Sequence, residues 1–243
     1  MTDHEVAARL ATAAGKLLLG VRAELADAGA AERKAAGDKR SHEFLMEALA
    51  AERPGDAVLS EEGADDPVRL SAERVWIVDP LDGTREFSEL GRVDWAVHVA
   101  LWQSGRLVAG AVALPAQGIT LATPTVAPPP ATAERPRIVV SRTRPPAIAL
   151  AVRDVLDGTL IEMGSAGAKV ASVVQGISDV YVHAGGQHEW DSAAPVAVAR
   201  AAGLHTSRID GSPLDYNQPD PLLPDLVVCR PEFAEAVLAV TAG

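Results

Sequence analysis

Residues 75–87 read Val75-Trp76-Ile77-Val78-Asp79-Pro80-Leu81-Asp82-Gly83-Thr84-Arg85-Glu86-Phe87. An apolar run of strand type leads straight into Asp79, and a second carboxylate follows three residues later. A strand end holds its side chains rigidly over a shared cleft. Two like charges that close repel unless a cation lies between them. A hard divalent cation such as Mg²⁺ prefers oxygen ligands and would relieve the repulsion. The stretch therefore reads as half of a metal site.

Elements on either side extend the pattern. Upstream, Val6, Leu10, Ala13, Leu17, Val21 and Leu25 recur every three or four residues, which predicts an amphipathic helix ended near Gly29. A second helix is expected from about Ser41 to Ala51, with Asp38 just before it, and a short strand over Ala57-Val58-Leu59-Ser60 runs into Glu61-Glu62. Downstream, a helical turn is expected near Arg85 to Leu90. Strands Trp95 to Trp102 and Leu107 to Leu114 follow, joined by a tight turn through Ser104-Gly105.

Residues 124–136 hold five prolines and sustain neither helix nor sheet. They read equally as a surface loop within one domain or as a link between an N-terminal α+β part, 1–123, and a C-terminal α/β part, 137–243. In that second part the expected elements are a strand from Arg137, helices over Pro146 to Leu156 and Ser165 to Gln175, and a strand from Asp179 to His183. A helix from Asp191 to Ala202, a strand around Val227 and a final helix from Glu232 to Val240 close the chain.

Composition narrows the function. The 243 residues suffice for a substantial core. With 33 acidic against 22 basic residues the formal charge is −11, which argues against general nucleic-acid binding. An anionic small molecule stays compatible, because bound cations invert the local field. The single cysteine, Cys229, sits in an apolar run and rules out an internal disulfide or a cysteine cluster. The absence of a signal-type leader and of any membrane-length apolar run predicts a cytoplasmic protein with no membrane partner. His98, inside an apolar strand, and His183, at a strand end, read as packing histidines.

Taken together, these motifs resemble the inositol monophosphatase superfamily of lithium-sensitive, Mg²⁺-dependent phosphatases. Ile77 to Thr84 is similar to its first signature, Trp190-Asp191-Ser192-Ala193-Ala194-Pro195 to its second, and Glu61-Glu62 stands upstream in the expected order. The resemblance implies a layered αβαβα sandwich, an α+β half beside an α/β half. It implies that Glu61, Asp79 and the Leu81 carbonyl hold one Mg²⁺, and that Asp79, Asp82 and Asp191 hold a second. Thr84 and Asp38 would orient and deprotonate the attacking water, Asp38 also serving a third, weaker metal. Backbone N–H groups at Gly83 and Thr84 would receive phosphate oxygens. Water would then displace the alcohol in line, without a covalent intermediate.

Substrate choice rests on finer similarity. Gly164-Ser165-Ala166-Gly167-Ala168-Lys169 and Ser141-Arg142 resemble elements of the CysQ-type phosphatases of 3′-phosphoadenosine 5′-phosphate (PAP). That implies a small phosphorylated partner, with Lys169 and Arg142 neutralising the phosphate that stays. Inositol 1-phosphate and fructose 1,6-bisphosphate are the alternatives within the superfamily, and a non-catalytic metal or phosphate sensor is the alternative outside it. A homodimer is the family's usual assembly. An aspartyl-phosphate mechanism of the Asp-x-Asp-Gly-Thr type is excluded, because Pro80 occupies the nucleophile position.

Overall fold

In a computed structural model that describes residues 1–131 and 135–243, the chain forms five layers. The outermost pair is α1 (Asp3–Glu24) and α2 (Ala30–Glu52). They cover a five-stranded sheet in the order β1-β2-β3-β4-β5: Ala57–Ser60, Arg74–Asp82, Ala96–Gln103, Arg106–Leu114 and Ile119–Ala122. β1 pairs parallel with β2, and the rest of the sheet is antiparallel. After the short α3 (Thr84–Ser88), the chain builds a second sheet with strands β6 (Arg137–Ser141), β7 (Thr159–Met163), β8 (Val180–Ala184), β9 (His205–Ser207) and β10 (Asp225–Cys229), ordered β7-β6-β8-β10-β9. Between the sheets lie α5 (Ala166–Val174) and α6 (Glu189–Ala201). Beyond the second sheet lie α4 (Ala147–Val155) and α7 (Ala234–Thr241). The expected αβαβα sandwich is what the chain adopts. Part of the proline-rich stretch, residues 132–134, lies outside the described residues.

The burial pattern explains the layering. Along β2 and β3, Trp76, Val78, Val97, Val99 and Leu101 pack on α1 and α2, while Val75, Ile77, Ala96 and Ala100 face the central helices. This is the period-two alternation of a sheet covered on both faces. Every residue of α5 is buried, as its run of alanine, glycine and valine requires for a helix wedged between sheets. Gly110 of β4 admits α6 closely: a Cβ there would come within 2.6 Å of the Ala197 Cβ.

Two boundaries differ from the sequence reading. Helix α2 begins at Ala30 rather than near Ser41, so Asp38 lies on the helix and not before it. Alanine, glutamate and lysine favour helix throughout this segment. Gly37, which resembles a break, is a contact residue instead, since a Cβ would meet Phe87 and Leu81 at 2.7 and 2.8 Å. The buried Arg33 joins α1 to α2 by donating to the Leu25, Ala26 and Ala28 carbonyls of the turn between them. Strand β2 also continues past Asp79 to Asp82, through a register shift against β3 that accommodates Pro80.

Candidate metal centre and adjoining cavity

The irregular end of β2 brings two carboxylates to the same side of the first sheet, where the central layer meets them. Asp79, Asp82 and Asp191 each offer an oxygen within 4.8 Å of the others. Asp191 arrives from α6, where its Oδ2 accepts from the His188 N–H at 2.7 Å and closes the helix's first turn. One turn later Pro195 removes the N–H that would otherwise bond the Asp191 carbonyl. Glu61, just past β1, stands at the open rim of the cluster.

Each acid has a distinct environment. Asp79 is fully buried, and burial first, then the charges of Glu61, Asp82 and Asp191, push it well above the usual carboxylate range. Its Oδ1 accepts from the Leu81 N–H at 3.0 Å. Protein packed around the Glu61 carboxyl, with the neighbouring acids, raises that group to about 7. Burial and the Asp82 charge raise Asp191 to about 6.

Asp82 behaves in the opposite way. Burial pushes it upward, but His98, the Ser165 hydroxyl and the Gly167 N–H outweigh that and hold it at about 2. The start of α5 adds to the effect of His98: Ser165 Oγ and Gly167 N donate to Oδ2, and Ala166 N donates to Oδ1 at 3.1 Å. A carboxylate facing helix N–H groups is stabilised in its charged form.

Beside the cluster, Gly83 takes φ 82° and starts α3, a left-handed turn that also avoids Ser165, because a Cβ would approach the Ser165 Cβ to 2.9 Å. The turn presents Thr84, whose hydroxyl lies 3.2 Å from Asp38 Oδ1 and 3.1 Å from the Leu81 carbonyl. Burial and the Glu62 charge raise Asp38 to about 6.

A cavity of about 600 Å³ adjoins the site, lined by Ser141, Arg144, Lys169, Tyr181, His183 and the Gly185–Gly186 turn. Lys169 is buried one turn along α5 from the groups that hold Asp82. Its Nζ donates to the Gly164 and Ser165 carbonyls at 2.8 Å each and lies 5.4 Å from the Tyr181 ring centroid. Burial lowers its pKa.

The structure thus gathers Glu61, Asp79, Leu81, Asp82, Gly83, Thr84, Asp38, Ser165 and Asp191 in one place, with Ser141 and Lys169 on the adjoining wall. Arg142 is engaged elsewhere: its guanidinium donates to Glu86 and Glu89 at 2.7 Å each. The cavity's arginine is Arg144, which is exposed and has no carboxylate partner among the described residues. Two contributions escaped the sequence reading. The α5 N–H groups carry no side-chain signal at all. His98 was hidden by its valine neighbours, although a polar residue at a core-facing register position opposite Asp79 is a signal.

The donor set suits a hard cation. Buried Asp79 and Asp82, half-buried Asp191 and Glu61 at the rim bring four carboxyl groups together, and that crowding pushes Asp79 well above the usual carboxylate range.

Comparison with known proteins agrees with this geometry. The profile of the inositol monophosphatase family matches residues 2–241. A 3′-phosphoadenosine 5′-phosphate phosphatase of Mycobacterium leprae (strain TN) is 53% identical, the alignment covering 99% of this chain and 93% of the relative. The 3′(2′),5′-bisphosphate nucleotidase CysQ of Escherichia coli (strain K12) is 34% identical over 74% of this chain and 78% of that protein. Among solved structures, CysQ from Bacteroides thetaiotaomicron superposes with a TM-score of 0.76 at 28% identity, covering 93% of this chain and 96% of its own. From its strand-end acids to its five layers, the chain belongs to the inositol monophosphatase family.

Proposed function

We propose that the protein is a cytoplasmic, Mg²⁺-dependent phosphomonoesterase that removes the 3′-phosphate of PAP, leaving AMP. One observation carries the reading: a set of converging carboxylates opens beside a cavity of nucleoside size whose arginine has no carboxylate partner among the described residues. The names of the relatives at 53% and 34% identity support the substrate.

In this reading Glu61, Asp79 and the Leu81 carbonyl would hold one Mg²⁺, Asp79, Asp82 and Asp191 a second, and Asp38 a third, weaker one. When bound, Mg²⁺ supplies charge neutralisation at the phosphoryl oxygens and lowers the pKa of water. The chain's own residues do the rest. Thr84 accepts from the attacking water while its own proton is directed to Asp38. The Gly83 and Thr84 N–H groups receive phosphate oxygens. Arg144, rather than the paired Arg142, neutralises the 5′-phosphate, and Ser141, Ser165 and Lys169 shape the wall beside it. The reading includes the family's usual homodimer, measurable by light scattering.

The test compares turnover of PAP, inositol 1-phosphate and fructose 1,6-bisphosphate at equal concentration with Mg²⁺. A preference for PAP is expected. A preference for inositol phosphate would replace the substrate assignment. No Mg²⁺-dependent turnover of any of the three would remove the enzymatic reading.

A further inference from the structure

His98 is fully buried on β3, directly across the ladder from Asp79. Its neighbours on the same face, Ala96 and Ala100, are small, which leaves the imidazole as the only large group on that part of the strand's inner face. Each ring nitrogen meets a different element. Nδ1 lies 3.0 Å from the Trp190 carbonyl, at the N-terminus of α6, and 3.9 Å from Asp79 Oδ2. Nε2 lies 3.2 Å from Asp82 Oδ2, at the end of β2, without the alignment of a full hydrogen bond.

The opposite wall is shaped to let the ring in. A Cβ at Gly167 would stand 1.9 Å from His98 Nε2 and 3.0 Å from Asp82 Oδ2. Glycine at this point of α5 therefore admits both the imidazole and the carboxylate. The bonds to Asp82 from Ser165, Ala166 and Gly167 all come from the start of α5 and its cap, and the bond to the Asp191 side chain comes from His188, the cap of α6. Neither set joins the two acids' elements. His98 reaches both, with Nε2 at the Asp82 carboxylate and Nδ1 at the Trp190 carbonyl.

We infer that His98 is a positioning residue of the acid cluster, a brace that fixes Asp82 of the first sheet against the Trp190–Asp191 turn of the central layer. The brace sets the spacing of two carboxylates that must share one cation. A hydrocarbon of equal volume would fill the space but lose the Nδ1 contact to the Trp190 carbonyl and the Nε2 contact to Asp82, leaving Asp82 held from the α5 side alone. The inference rests on the proposed Mg²⁺ reading, and its test separates the two.

The test measures Mg²⁺ binding by calorimetry without substrate, for wild type, His98→Ala, His98→Asn and His98→Gln, with near-ultraviolet circular dichroism reporting the fold. Asparagine retains a donor where Nδ1 stands, toward Trp190. Glutamine retains one where Nε2 stands, toward Asp82. The Ala variant is expected to bind Mg²⁺ about 10–100-fold more weakly, the usual effect of losing a group that orients a ligand. Asn and Gln are expected to fall between it and wild type, each recovering one of the two contacts. Should His98→Ala fail to fold, Asn and Gln carry the comparison. Folded variants that all bind Mg²⁺ within twofold of wild type would overturn the brace. So would direct imidazole-nitrogen hyperfine coupling in the Mn²⁺-loaded wild type, which would make His98 a ligand. A wild type that binds no divalent cation would instead overturn the metal reading itself.

Discussion

The Thr84 hydroxyl stands 3.2 Å from Asp38 Oδ1, joining the turn after β2 to the middle of helix α2. If this pair activates water, removing either member costs rate and not affinity. Thr84→Ala and Asp38→Asn are each expected to lower kcat by about 10²–10⁴-fold with KM little changed, as measured by steady-state kinetics at saturating Mg²⁺. Because Asp38 is raised to about 6 and works ionised, turnover should decline as pH falls below about 6.

Asp82 faces both the cluster and the start of α5. Asp82→Asn removes its charge and places an amide among the α5 N–H donors. The expected loss is about 4 kcal/mol of barrier lowering, or ~10³-fold in kcat/KM. Chelation by EDTA should abolish turnover of the wild type, and added Mg²⁺ should restore it. A variant that keeps most of its Mg²⁺-dependent activity would remove Asp82 from the site.

Without a cation, the crowded acids tie stability to pH. Asp38 and Asp191, raised to about 6, and Glu61, raised to about 7, bind more protons folded than unfolded between about pH 4 and pH 7. Across that window the unfolded state holds fewer protons, so stability falls as pH rises. Asp82, held at about 2, acts with the opposite sign, but its contribution is lost only below this range. Chelated protein should therefore melt at lower temperature at pH 7.5 than at pH 5. Adding Mg²⁺ should raise Tm more at the higher pH. Calorimetry showing Tm flat or rising with pH in EDTA would refute the crowded arrangement.

Arg144→Ala should raise KM for PAP at least tenfold while leaving turnover of a substrate with a single phosphate, such as 3′-AMP, nearly unchanged. Equal effects on both substrates would place Arg144 outside recognition of the second phosphate. Arg142→Ala should instead act through its ion pairs with Glu86 and Glu89, lowering Tm without this split.

Gly110→Ala tests the seam between the first sheet and α6. The added methyl would meet the Ala197 Cβ at 2.6 Å and the Ala194 carbonyl at 3.2 Å. Overpacking of this kind costs about 1–3 kcal/mol. A fall in Tm of about 2–12 °C is expected by differential scanning calorimetry.

What the sequence revealed and what it concealed divide along physical lines. Strands buried on both faces, such as Val75–Val78, carry dense apolar runs and are legible. The three unforeseen strands, β5, β7 and β9, are all sheet edges, where half-exposure dilutes the pattern: no residue of β5 or β7 is fully buried. Gly37 hid eleven residues of α2 because glycine for close contact looks like glycine for a break. The acids were legible because carboxylates beside a strand end are unusual. The groups that orient them, backbone N–H of α5 and one histidine among valines, leave almost no compositional trace.

The two walls of the site come from different sheets. Glu61, Asp79 and Asp82 stand on the first, whereas Ser141, Arg144, Tyr181 and His183 stand on or beside strands of the second. Substitutions that remodel the cavity wall need not disturb the strand-end acids. An ancestral scaffold built this way could exchange one phosphate ester for another through drift at β6 and β8 alone, its hydrolytic engine inherited intact.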